Sequence, residues 1–285
     1  MISVMQAVIL GLLQGASELF PVSSLGHSVI LPQLFGWNIH QNDNSFLIFL
    51  VATHFATALV LLYFYRRTWI NITKGITRSL QDREIKASDH DAKLGWLLII
   101  GTVPAGVLGI LFQDQIREVF VTARSAAVFL ILNGIILLGA EQLRKRAKSS
   151  DMSTTTNARI AQVSWIQSVM VGAAQALALI PGLSRSGAAM GGGLLIGLSH
   201  ADAAHFAFLL ATPIIFAASL LKLPELFLVQ NHALVLPALI GGACSAMSAY
   251  VAIKFLTRYF QTNSLKPFGI YCIAFGAISS ALFLR

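Results

Sequence analysis

The sequence predicts an all-α integral membrane protein: six transmembrane helices plus two re-entrant helix pairs, built as an inverted-topology repeat. Three observations predict it. The 285 residues are 56% hydrophobic and only 11% charged, whereas soluble domains carry about 25% charged residues. Two long apolar regions are each interrupted at a proline by serines and charged groups. The second half of the chain also echoes the first.

Six apolar stretches are long enough to cross a bilayer: 46–65, 94–112, 125–141, 205–222, 233–257 and 266–284. Two further regions are apolar but broken, 2–36 at Pro21–Ser24 and 164–198 at Pro181–Ser186. Each of their halves is too short for a full crossing. Irregular backbone at membrane depth is tolerated only where protein or a water-filled cavity surrounds it, so both regions are expected to be re-entrant. The N-terminus lacks a basic stretch and an A-x-A-like cleavage site, and reads as part of the mature fold. Cys244 and Cys272 lie inside apolar stretches, and no structural disulfide is expected.

The formal charge is +8. In a membrane chain, basic residues mark cytoplasmic loops and anionic headgroups rather than nucleic acid. Fifteen of the 20 Lys and Arg residues fall in three segments: 66–93, 142–163, and around the connection between the last two spans at Lys254, Arg258 and Lys266. With six crossings those segments share one face. The positive-inside rule makes that face cytoplasmic and puts both termini outside.

Gly11-Leu-Leu-Gln14 returns as Gly172-Ala-Ala-Gln175, Pro21-x-x-Ser24 as Pro181-x-x-Ser184, and "FLVAT" at 49–53 as "FLLAT" at 208–212. Two similar halves of opposite orientation, with broken helices meeting near mid-membrane, form an inverted repeat. The expected organisation is one membrane domain, 1–285, with repeat 1 at about 1–141, repeat 2 at about 160–285 and a cytoplasmic linker at 142–159.

The breaks carry the chemistry. An acidic residue at mid-bilayer costs roughly 2.5–3.5 kcal/mol on insertion scales, so Glu18 asks for a purpose. Gln14 and Glu18 are spaced i, i+4 and share a helix face, and Ser24 and His27 at i, i+3 share another. The second break, "PGLSRSG" at 181–187, supplies Arg185, whose planar fork of donors suits phosphate. Facing tips would bring Arg185 against Glu18, Ser24 and His27. His54 reads as a helix-packing residue or one supporting the site from behind. The spacings of His27, His54 and His205 match no metal site.

These residues carry a resemblance. "QGASELFPVSSLGH" at 14–27 resembles an (E/Q)xxxE–(F/L)xPxSSxGH signature, and "PGLSRSGAA" at 181–189 resembles PGxSRSxxT. Both belong to the bacitracin-resistance type of undecaprenyl-diphosphatase. "GLSHADAAHFAFLLATP" at 197–213 and the stretch from Phe46 to Arg67 are similar to further family segments. The resemblance implies hydrolysis of undecaprenyl diphosphate at a site facing the periplasm of a bacterial inner membrane, with a divalent metal, magnesium or calcium. It implies Glu18 as metal ligand, Arg185 as phosphate clamp and Ser24 and His27 at the nucleophile and base positions, with direct attack by water as the alternative to Ser24. It also implies substrate contacts from Gln14, Ser23, Gly26, Ser184, Ser186 and Gly187. The chain departs from the pattern at Gln14, an allowed variant, at Ala189 in place of threonine, at His200 in place of a basic residue and at Ala207 in place of serine.

A lipid-carrier flippase or secondary transporter on the same inverted repeat is the rival reading, separable by phosphate release in detergent. A type 2 phosphatidic-acid phosphatase is disfavoured, because its flanking motifs are absent. The expected partners are the polyprenyl diphosphate substrate and membrane lipids. Small residues at Gly187–Gly191 and Gly193–Gly197 allow close helix approach, within one chain or across a homodimer.

Overall fold

The structure is a computed structural model, and it describes residues 2–39, 43–120, 122–144 and 155–284, without the side chains of 113–120. Most of the expected linker (145–154), together with Arg285, lies outside the described residues. Among them the chain is all-helical. Six helices are long and apolar enough to span: α3 (Asn44–Phe64), α5 (His90–Phe120, apolar as far as Phe112), α6 (Ala123–Leu143), α10 (His200–Lys222, extended by a 3-10 turn to Phe227), α11 (His232–Tyr259) and α12 (Lys266–Phe283). They coincide with the six stretches read from hydropathy.

The broken regions fold as short helices. Before the first break lies α1 (Val4–Leu19), and after it α2 (Ser24–Leu34). Before the second lies α8 (Trp165–Gln175), unwinding into a 3-10 turn at Ala176–Leu179, and after it α9 (Arg185–Leu195). The 16 residues of α1 rise about 24 Å, short of the roughly 30 Å hydrocarbon core.

Segment 66–93 holds a helix that hydropathy alone did not separate from loop, α4 (Arg66–Asp82). Ile72 and Gly75 pack it against α5, so closely that a Cβ on Gly75 would sit 2.5 Å from the backbone nitrogen of Ala92. The Trp96 indole donates to Ser79 Oγ at 2.9 Å across the same contact. Arg78 forks onto Asp89 at 2.9 and 3.0 Å, which holds the Asp89 carboxyl below its usual range. A short helix, α7 (Thr156–Ile160), brings Arg159 onto Asp202 of α10 at 2.7 Å.

Packing pairs the two halves crosswise. α1 lies on α11, while α8 lies on α5; α3 meets α10, and α6 meets α12. Both crossings of the short helices are glycine to glycine. A Cβ on Gly11 would sit 2.3 Å from Gly241 O, and one on Gly172 would sit 1.9 Å from Gly101 O. Both short helices also start alike, with capping boxes Ser3–Gln6 and Ser164–Gln167. Such a box satisfies two otherwise orphaned donors at the helix start.

Candidate active site

Proline ends each short helix because it offers no N–H and disfavours helical geometry in the residue before it. At the first break the chain then turns through Ser23, at φ 65°, and at the second through Gly182, at φ 104°. Each following helix is capped by a serine. Ser23 Oγ accepts Gly26 N at 3.2 Å, and Ser184 Oγ accepts Gly187 N at 3.1 Å. The sequence echo paired Ser24 with Ser184, but the structure pairs the caps Ser23 and Ser184. The reason is a one-residue difference: only Val22 separates Pro21 from its cap, whereas Gly182 and Leu183 separate Pro181 from its cap. Ser24 is therefore free of capping.

Its hydroxyl goes to Glu18. Ser24 Oγ donates to Glu18 Oε2 at 2.5 Å, and Gln14 Nε2 donates to the same oxygen at 3.0 Å. The other carboxylate oxygen, Oε1, takes the Arg185 guanidinium, delivered from the second break. Arg185 also donates to Ala211 O at 3.1 Å. Glu18 is only 7% exposed. A buried carboxylate is tolerated where its lone pairs are filled and its charge is opposed. Here both conditions are met.

Two imidazoles change roles relative to the sequence expectation. His27 turns away from Ser24: its Nδ1 donates to Ser23 O at 2.7 Å, its Nε2 lies 2.8 Å from the Tyr271 hydroxyl, and its ring stacks on Phe275. Spacing i, i+3 puts Ser24 and His27 on one side of α2, but the partners offered by α12 decide where the ring points. His54 instead reaches the site, with Nε2 3.1 Å from Glu18 Oε2 and Nδ1 2.7 Å from Leu50 O.

Asn133 of α6, 3% exposed, clasps the two breaks, donating to Pro21 O at 3.0 Å and accepting Ser184 N at 2.9 Å. Its only sequence signal was a lone amide in an apolar span. Ser186 ties the second break to the first by donating to Phe20 O at 3.0 Å. Gly26 lies against Gly182, and Gly187 against Pro21, so both are close-packing positions. Gln14 sits behind Glu18. His200 pairs with buried Glu141 at 2.9 Å, far along the chain from the site.

Glu18, Ser23, Ser24, His54, Ser184 and Arg185 face one cavity of about 290 Å³, whose other walls include Leu25, Leu50, Ala105, Gln175, Leu179 and Ile214. This is near the lower end of the roughly 300–1,000 Å³ of small-molecule sites. The cavity is built from the first half of α3 and the second half of α10. It therefore lies towards the ends of those helices opposite basic segment 66–93 and α7. No group of three His, Cys, Asp or Glu that could hold a metal occurs among the described residues. The oxygen donors lining the cavity include its one carboxylate, Glu18, and the partnerless amide oxygen of Gln175. Oxygens are the donor type that a hard cation takes.

The family model described as bacitracin resistance protein BacA matches residues 7–278. The chain is 42% identical to the undecaprenyl-diphosphatase of Mycolicibacterium paratuberculosis, over 98% of this chain and 96% of that one. It is 42% identical to undecaprenyl-diphosphatase 2 of Chromobacterium violaceum, over 96% of each chain. It is 44% identical to undecaprenyl-diphosphatase 2 of Burkholderia thailandensis, over 97% of this chain and 96% of that one.

Proposed function

The chain belongs to the bacitracin resistance protein BacA family, and we propose that it hydrolyses undecaprenyl diphosphate to undecaprenyl phosphate and inorganic phosphate. The observation that carries this reading to the level of residues is the contact chain Ser24–Glu18–Arg185 in the cavity wall. The terminal phosphate lies against Arg185, whose fork retains donors beyond those given to Glu18 and Ala211. Ser24 Oγ attacks the terminal phosphorus while its proton passes to Glu18. The bridging P–O bond breaks and undecaprenyl phosphate leaves. Water then cleaves the phosphoserine, releasing inorganic phosphate and returning the proton to Ser24. Arg185 opposes the charge of Glu18 and of the phosphates while His54 holds the Glu18 carboxylate in place, and such positioning and neutralisation supply most of the catalysis in phosphoryl transfer. Glu18 would hold a magnesium or calcium ion, which would supply neutralisation of phosphate charge.

The two halves, 1–141 and 160–285, form an inverted repeat around this site. Matched capping boxes, matched glycine crossings and the crosswise packing support it. The site opens to the exterior of the bacterial inner membrane and both termini lie outside. The support is that the cavity lies towards the helix ends opposite basic segment 66–93. A reporter fused at Arg285 should then read outside and one in loop 142–163 cytoplasmic; both on one side would overturn this topology.

The function is tested by purified protein in detergent acting on polyprenyl diphosphates, with and without chelator. Phosphate release needs no sealed compartment, so a transporter would give none. Full activity in chelator would remove the metal from the scheme.

A further inference from the structure

Gln175 is the buried polar group at this cavity that the scheme above leaves without work. It ends α8, lines the cavity alongside Glu18, Ser24, His54 and Arg185, and is 2% exposed. Neither its Nε2 nor its Oε1 has a hydrogen-bond partner among the described residues. Of the neighbouring polar groups, Ser23 and Ser184 cap helices, Ser17 donates to Leu13 O, and Ser24 and His54 meet Glu18.

The repeat explains why this amide is left over. Gln175 stands 161 residues after Gln14, the same offset as the two capping boxes. Gln14 spends its amide on Glu18, one helical turn ahead. The residue one turn ahead of Gln175 is Leu179, which cannot accept. An apolar side chain would avoid the desolvation cost of a buried, unmade hydrogen bond. An amide here is therefore matched to something that enters the cavity.

We propose that Gln175 is a substrate-binding residue whose Nε2 donates to a phosphate oxygen of the lipid diphosphate, fixing the headgroup between Ser24 and Arg185. This rests on the reading of the cavity as the diphosphate site. A neutral donor suits the position: a carboxylate would add a second negative charge beside Glu18 and facing the phosphates.

The test compares wild type, Gln175→Leu and Gln175→Glu by steady-state phosphate release and by thermal melting in detergent with and without inorganic diphosphate. Gln175→Leu should lower kcat/KM about tenfold to a hundredfold, the range for a hydrogen bond to a charged group. Most of this loss should appear in KM. It should also reduce the melting shift given by diphosphate, as a tenfold to hundredfold weaker Kd requires, while the ligand-free protein melts no lower than wild type. Gln175→Glu should lose more than Gln175→Leu. A Gln175→Leu variant within twofold of wild type in kcat/KM and in diphosphate shift would overturn the proposal. So would one that melts lower without ligand yet keeps that shift, or a Gln175→Glu variant more active than wild type. Wild-type protein that releases no phosphate would overturn the phosphatase reading instead, and the melting shift would still decide whether Gln175 meets the anion.

Discussion

The two breaks share a plan and differ in what they contribute. Each ends a short helix at proline, turns through a left-handed residue and restarts on a serine cap. At the first break α1 stays helical to Leu19, which carries Glu18 to the tip; at the second the helix loosens into a 3-10 turn after Gln175. The first cap falls on Ser23 and frees Ser24 for Glu18, while the second falls on Ser184 and starts the next helix with Arg185. The strain also differs. Glycine takes positive φ without penalty, whereas Ser23 takes it as a non-glycine residue. Strained non-glycine conformations cost about 1–3 kcal/mol and cluster at functional sites. One break supplies Glu18 and Ser24 and the other Arg185, and a single residue of register separates the two caps.

The largest effect should come from the acidic tip. Glu18→Gln removes the proton acceptor for Ser24 and should lower phosphate release by about 10²–10⁴, the usual weight of a positioned base. Activity near wild type would mean that the first break is not the reacting one. Next is the turn itself. Gly182→Ala demands an alanine at φ 104° with its Cβ 2.4 Å from Ala126 O. It should cost about 3 kcal/mol, read as a lowered melting midpoint in detergent. Ser23→Gly, at the corresponding turn, should change stability by only a few tenths of a kcal/mol, because lost cap and relieved strain oppose each other. Equal losses in the two would erase the distinction in strain.

Arg185→Lys should be about as damaging as Arg185→Ala, roughly a hundredfold in rate, since a point charge cannot hold two phosphate oxygens as a planar fork does. A lysine variant near wild type would reduce the contribution of the second break to charge alone. His54→Gln should lower the rate by about tenfold through Glu18, whereas His27→Gln should act mainly on melting, since His27 holds the strained Ser23 carbonyl. The reverse order would restore His27 as the base. Smallest is Ser184→Ala, a lost cap of about 1 kcal/mol with activity within tenfold. A dead but folded Ser184→Ala would give the second break a chemical role beyond Arg185.

Much of this was legible because the signals are local. The six spans follow from runs of apolar residues, and the Gln14–Glu18 hydrogen bond follows from i, i+4 geometry. The convergence of Glu18, Ser24 and Arg185 followed from paired polar breaks in an apolar chain. His54 was underrated, because nothing in the spacing of α3 says that its face meets α1. Asn133 was missed, since one amide in a span carries no period. α4 was read only as a basic segment, its apolar face being narrow.

What the sequence determined by itself was the solvent of the protein, its six apolar spans and the residues that do not belong in lipid. These depend on composition and short spacing, and hydrocarbon penalises misplaced polar groups strongly enough to make them readable. What only the tertiary structure decided was which imidazole serves Glu18, which serine caps and which is free, and which amide is left facing the cavity. Those outcomes turn on a one-residue register at the breaks and on partners from distant helices, Tyr271 for His27 and Glu18 for His54. Contacts between residues far apart in the chain are set by how helices cross, and local periodicity carries no information about crossing.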